Sequence, residues 1–143
     1  MKIFIASDHT GYDMKQYLLE RFGYGMVDLG TSSREPCDYP ILAQKLCNEV
    51  LIAKNCCGIL ICFTGNGVAI VANRYRKIRA AICFNEKMAE LSRRHNDANI
   101  IVFGAAVITP EMAWSCLCIF LETKFEDGGR HERRLQLIDG GVT

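Results

Sequence analysis

The chain has 143 residues, half of them hydrophobic and 23% charged, with 17 basic residues against 16 acidic ones and a formal charge of +1. That length suits one domain, residues 1–143, large enough to bury a core, and the near-neutral balance excludes the bulk basic signature of a nucleic-acid or membrane-surface protein. No run of about 18 apolar residues exists to span a bilayer, and the apolar stretch before Asp8 and His9 is too short for a signal peptide, so the expected location is cytoplasmic.

Lys2–Ser7 reads as a short apolar strand closed by Asp8-His9-Thr10-Gly11. A helix follows from Tyr12 to Phe22, with Met14, Leu18 and Phe22 on one face and Gly23 as its C-cap. Met26–Leu29 is a second strand, and a loop then leads to Asp38-Tyr39-Pro40. Pro40 fits the first turn of a helix whose apolar face is Leu42, Leu46 and Val50. Gly58–Cys62 is a continuous apolar run, the pattern of a strand buried on both faces. After the polar turn Thr64-Gly65-Asn66-Gly67, residues 68–73 can wind as a helix. Ile78–Cys83 reads as a fourth strand, and Asn85–Arg94 as a helix that delivers His95, Asn96 and Asp97 just beyond its end. Asn99–Phe103 is a fifth strand, Pro110–Glu122 a helix, and Arg130–Ile138 a last short helix, with a frayed tail after Asp139. Five strands alternating with helices predict a Rossmann-like α/β fold: a doubly wound, mostly parallel five-stranded sheet flanked by helices.

The stretch Gly58–Asn73 is the centre of this organisation. It places Cys62 at the carboxyl end of a central strand, beneath the backbone amides of a glycine turn and a helix N-terminus. Ligands bind at that edge of open α/β sheets, and helix N-termini attract anions. Nearby N–H donors favour a thiolate base or nucleophile. The turn is no dinucleotide fingerprint, because Ile70 stands where a glycine is needed, and it is neither a Walker loop nor a nucleophile elbow. The other seven of the eight cysteines read as packing or incidental residues, since none has the spacing of a zinc or redox motif. Three histidines, His9, His95 and His131, fall beside polar or charged neighbours and suggest acid–base and hydrogen-bonding roles rather than a metal. Arg130 and Arg134, four apart on one helical face, suit a phosphate.

Taken together, SDHTGYDMK, DYP, GILICFTGNG with the following AN, IRAAIC, SRRHNDAN and FEDGGRHERR make the chain similar to the type B ribose-5-phosphate isomerases and the related galactose-6-phosphate isomerase subunits. The segments span almost the whole chain in family order. The resemblance implies an aldose–ketose isomerisation through an enediolate, with no metal or organic cofactor. It implies Cys62 as the base and His95 as the ring opener. The amides of Phe63, Thr64, Gly65, Asn66 and Gly67 would hold the enediolate, Asp8, His9 and Asn96 would contact the sugar, and Arg130 and Arg134 would bind phosphate. It also implies a homodimer, or a dimer of dimers, whose arginines reach the neighbouring subunit's site. Two positions depart from the family pattern: Phe63 replaces a usual glycine, and Ala106 stands where the ribose-type members carry an arginine. Both bear on the substrate. The rival expectations are therefore an isomerase for a six-carbon or unphosphorylated sugar, and a non-catalytic sugar-phosphate-binding protein.

Overall fold

Near-continuous runs of β-branched and aliphatic residues form the inner strands, because a parallel sheet covered on both faces has no solvent side to match with polar residues. A computed structural model of the chain describes residues 1–140; the frayed tail expected after Asp139 lies, from residue 141, outside the described residues. The strands are β1 (Lys2–Ser7), β2 (Met26–Asp28), β3 (Cys56–Cys62), β4 (Ala80–Ile82) and β5 (Ile100–Gly104). All pairs are parallel, in the order β2-β1-β3-β5-β4. The helices are α1 (Tyr12–Phe22), α2 (Tyr39–Ile52), α3 (Asn66–Ala72), α4 (Glu86–Asn96), α5 (Pro110–Glu122) and α6 (Gly129–Gly140). Asp139 and Gly140 thus belong to the last helix.

Alternation along each strand divides the core into two layers. Ile3, Ile5, Ile59, Ile61, Ile101 and Phe103 face Met14 and Leu18 of α1, Ala89 of α4 and Leu117 of α5. Phe4, Ala6, Leu60, Cys62, Ile100 and Val102 face Leu46 and Val50 of α2 and Val68 and Ala72 of α3. The sheet is therefore doubly wound, as expected. Each fully buried aliphatic or aromatic side chain contributes roughly 1.5–3 kcal/mol. Glycine is required at Gly58, where a Cβ would lie 2.6 Å from the Leu46 side chain.

Most element ends shift by one or two residues from the sequence reading, and two of the differences have a clear local cause. β4 is only Ala80–Ile82, because Ile78 is tied back in a turn to the Tyr75 carbonyl and the Arg79 amide donates to the Asn99 side chain instead of a strand. The Asn73 side-chain amide both donates to the Ala80 carbonyl and accepts from the Ala80 amide, which covers the start of this edge strand. Helix α4 runs two residues further than expected, so His95 and Asn96 form its last turn. Its stop is Asp97, in the left-handed region at φ 42°, with its amide bonded to the Arg93 carbonyl.

No cysteine is paired. Burial pushes the Cys57 and Cys83 thiols up to about 12 and those of Cys47 and Cys116 up to about 11, so these four remain protonated packing groups.

Candidate active site

The chain leaves β1 for β2 on one side and then crosses to β3 on the other, so the winding reverses between β1 and β3. Asp8 and His9 follow β1 at that point and Cys62 ends β3. The Asp8 amide donates to the Ile61 carbonyl at 3.2 Å, so the two strand ends are joined directly. Asp8 is buried, and its Oδ1 accepts from the Thr10 amide (2.9 Å), the Thr10 hydroxyl (2.5 Å) and the Gly11 amide (3.1 Å). One carboxylate oxygen thus caps the short 3-10 turn His9–Gly11, and Oδ2 has no partner among the described residues. His9 accepts a bond at Nδ1 from the Cys37 amide, 3.2 Å, which leaves Nε2 as the donor of a neutral ring.

Cys62 is 5% exposed, and its Sγ accepts from the Gly65 amide at 3.2 Å. Gly65 is the N-cap of α3 at φ 85°, a conformation that favours glycine and turns its amide back onto the sulfur. The Asn66 amide bonds the Thr64 hydroxyl, while helix geometry leaves the amides of Gly67 and Val68 without intrahelical acceptors. The turn rests on the end of β5, where a Cβ on Gly104 would lie 2.5 Å from the Thr64 carbonyl oxygen. Tyr39 closes the far side, with its ring so near Gly67 that a Cβ there would sit 2.6 Å from Cζ. Tyr39 was legible only as part of DYP, since an aromatic at a helix start carries no pattern of its own. Phe63 is 60% exposed at the mouth of this edge, and its carbonyl accepts from the Ala106 amide at 2.9 Å.

The remaining candidates lie elsewhere. In an all-parallel sheet a helix that follows a strand runs back toward the amino edge. The end of α4 therefore puts His95 and Asn96 beside the start of β5, at the opposite edge from Cys62. Seven residues of β3 span about 20 Å, so one chain does not bring Cys62 and His95 together, nor Asn96 beside Asp8.

Arg130 and Arg134 join His95 at the amino edge through α6. The His95 and His131 rings stack with centroids 4.1 Å apart and planes 5° from parallel. The Arg79 guanidinium bonds Asp97 and Asp139, and Arg76 bonds the Asp139 carbonyl, which ties α6 down. Arg130, Arg133 and Arg134 form no ion pair among the described residues. The clefts at this edge include one of about 440 Å³ lined by Asn73, Ala80, Asn96 and Ile138, and one of about 410 Å³ beside Arg76, Arg79 and Glu132.

Potential ligand atoms of His95, Glu126 and His131 lie within 4.8 Å of one another, a convergence the sequence reading missed because Glu126 is remote from any motif spacing. The arrangement suits a metal poorly. Parallel rings hold their in-plane lone pairs side by side rather than aimed at one point, and Glu126 is engaged by Arg94, whose guanidinium holds its carboxyl below the usual range. His131 is held below its ordinary value of 6.5, first by partial burial and then by the positive fields of His95 and Arg130. A depressed histidine contributes stability above its unfolded pKa and loses it as pH falls through the folded one. We therefore expect the protection factors of the α6 amides, which correct for slower intrinsic exchange in acid, to fall as pH drops below about 6.5, with a His131 proton-NMR midpoint below 6.5 and a flattened profile in His131→Phe. A midpoint at or above 6.5 would contradict the assigned environment.

The profile of the Ribose/Galactose Isomerase family matches residues 3–138. The chain belongs to the ribose/galactose isomerase family. It is 40% identical to ribose-5-phosphate isomerase B of Escherichia coli over 141 residues, 96% of this chain and 93% of that one. The structure of ribose-5-phosphate isomerase B from Thermotoga maritima superposes with a TM-score of 0.92 at 46% identity, covering 98% of both chains. That from Clostridium thermocellum gives 0.92 at 42%, covering 98% of this chain and 96% of the other. In this ribose/galactose isomerase chain the candidate residues lie at two edges: a thiol, a carboxylate and a histidine at one, and two histidines with arginines that form no ion pair among the described residues at the other. No helix is long and apolar enough to cross a membrane among the described residues.

Proposed function

We propose that the chain interconverts an aldose phosphate and its ketose, ribose 5-phosphate and ribulose 5-phosphate, through an enediolate formed at Cys62. The observation that carries the reading is the Cys62 sulfur beneath the Gly65 amide at the winding reversal, in a chain of this family. The Cys62 thiolate takes the C2 proton of the open-chain aldose. The C–H electron pair becomes the C1–C2 double bond, and charge moves to the carbonyl oxygen. Amides of the Phe63–Gly67 turn stabilise that oxygen, as preorganised dipoles do for a developing oxyanion, while those of Gly65 and Asn66 are engaged by the Cys62 sulfur and the Thr64 hydroxyl. Return of that proton from the Cys62 thiol to C1, with transfer of the O2 proton to O1, gives the ketose and restores the thiolate. Asp8 and His9 hold the sugar hydroxyls.

The site is completed by a second copy. A two-fold dimer sets one chain's amino edge against its partner's carboxyl edge, so that His95 opens the furanose ring by moving a proton to its oxygen, Asn96 contacts the sugar, and Arg130 and Arg134 bind the phosphate. A dimer of dimers satisfies the same requirement. Arg130 and Arg134, which form no ion pair among the described residues, support this arrangement. Eight unpaired cysteines fit a reducing compartment, and we assign the reaction to the cytoplasm.

Proton exchange in D₂O tests the reading directly. Loss of the C2 proton signal of ribose 5-phosphate is expected, and no exchange by a folded protein would overturn it. Arg134→Ala is expected to raise KM for ribose 5-phosphate about ten- to a hundredfold, the loss of a charge-assisted bond of roughly 1.5–3 kcal/mol, with kcat changed only a few-fold because the phosphate is remote from the bonds that change. Steady-state kinetics with an unchanged KM would remove Arg134 from the phosphate site. One observation favours a second sugar: the exposed Phe63 ring and Ala106 are adjacent across the site's mouth, joined by the 2.9 Å bond between their backbones. Running allose 6-phosphate, galactose 6-phosphate and free ribose in the same exchange assay separates the two readings by which sugar exchanges fastest.

A further inference from the structure

Lys15 lies on α1, outside the site, and its side chain is fully buried. A buried ammonium persists only when oxygen ligands replace its water. Here Nζ donates to both carboxylate oxygens of Asp28 at 2.7 Å and to the Thr31 carbonyl at 2.6 Å. Asp28 Oδ1 also accepts from the Gly30 amide at 2.9 Å. The segment so held is stitched to the end of β1: the Ser7 amide donates to the Gly30 carbonyl and the Thr31 amide to the Ser7 carbonyl, each 2.8 Å. Ser7 immediately precedes Asp8 and His9. The loop then runs out through solvent, with Ser32–Pro36 exposed, and returns at Cys37 to give its amide to His9 Nδ1. The Arg34–Asp13 pair along the way has side chains 71% and 73% exposed, and surface pairs of that kind contribute little. Beside these backbone bonds, the loop's buried side-chain anchor at its start is therefore Lys15.

We propose that Lys15 is a positioning residue for His9. By clamping Asp28 and Thr31 it sets where the 30–38 loop leaves the sheet, and so brings the Cys37 amide to His9 Nδ1. That bond commits the neutral imidazole to the Nε2–H tautomer, which presents a donor to a sugar oxygen. The inference rests on His9 as a substrate contact, and it adds the control of its proton from a residue that never meets the substrate.

The test uses the full chain as Lys15→Met, together with Lys15→Met/Asp28→Leu, which removes the carboxylate that the single change would leave unpaired. Arg34→Ala serves as the exposed control. Ring ¹⁵N shifts of His9 report the tautomer independently of turnover, and ribose 5-phosphate kinetics are measured on the same samples. Wild type and Arg34→Ala are expected to show Nδ1 as an unprotonated acceptor and Nε2 as protonated. In whichever Lys15 variant folds, the two tautomers are expected to mix, with KM raised about tenfold, the size of one lost hydrogen bond, and kcat within about threefold. Unchanged His9 shifts in a folded Lys15 variant would overturn the proposal. A tautomer change with unaltered kinetics would leave Lys15's role standing and would instead remove His9 from the substrate contacts.

Discussion

Cys62→Ala is expected to abolish turnover while the protein still folds. A positioned general base contributes about 10²–10⁴ in rate. The neighbouring groups are partly engaged: Asp8 Oδ1 is committed to its capping bonds, and His9 accepts at Nδ1 from Cys37. The change deletes one sulfur atom at a position 5% exposed at the rim of the core. The structural cost is the unmatched Gly65 amide plus a small void, about 1–2 kcal/mol together. Proton exchange in D₂O and thermal unfolding on the same preparation separate the two effects. Exchange at a rate near wild type would end the assignment of Cys62, whatever the stability. Cys62→Ser sharpens the result, because an alcohol keeps the shape and the Gly65 bond while being far less acidic than a thiol. Loss of exchange in both variants then points to proton transfer rather than geometry.

The carboxyl-edge half of the candidate site was legible because its signals are local. An apolar run broken by Thr64-Gly65-Asn66-Gly67 and resumed by Val68 states strand, turn and helix in sixteen consecutive residues, and the chemistry follows from where the strand stops. The amino-edge half was legible as residues but not as a place. His95 and Asn96 read as a loop beyond a helix, since they are polar and no glycine marks the stop; Asp97, in the left-handed region, supplies it two residues later. Their distance from Cys62 was nonetheless implied by the predicted topology, because a crossover helix in a parallel sheet ends where the next strand begins. The stacking of His131 on His95 had no such signal. It depends on how α6 returns across α4, fixed by Arg76 and Arg79 on Asp139, contacts 60 or more residues apart in the chain. The clamp at Lys15 was equally hidden, as a lysine on an amphipathic helix ordinarily faces water, whereas this one fills the space under Thr31.

Mixing two inactive chains is expected to restore activity, and this outcome discriminates most sharply between a site within one chain and a site between two. One chain carries Cys62→Ala; the other carries His95→Ala with Arg134→Ala. If each site takes its base from one copy and its histidine and arginine from the other, a mixed dimer has one site with both halves intact and one with neither. Random reassociation makes about half the dimers mixed, so about a quarter of all sites recover. A site confined to one chain recovers none, because every chain in the mixture lacks one half. Neither lesion threatens the fold: His95 and Arg134 lie toward the surface of α4 and α6, and Leu135, the buried residue of α6, is untouched. Co-expression with two affinity tags isolates the mixed species, whose specific activity is expected at about half of wild type. Mixed dimers that form in full amount and stay inactive would reject the shared site. The geometry also sets how recovery depends on dilution: activity should fall with the dimer, since a lone chain keeps Cys62 and His95 at opposite ends of a strand about 20 Å long.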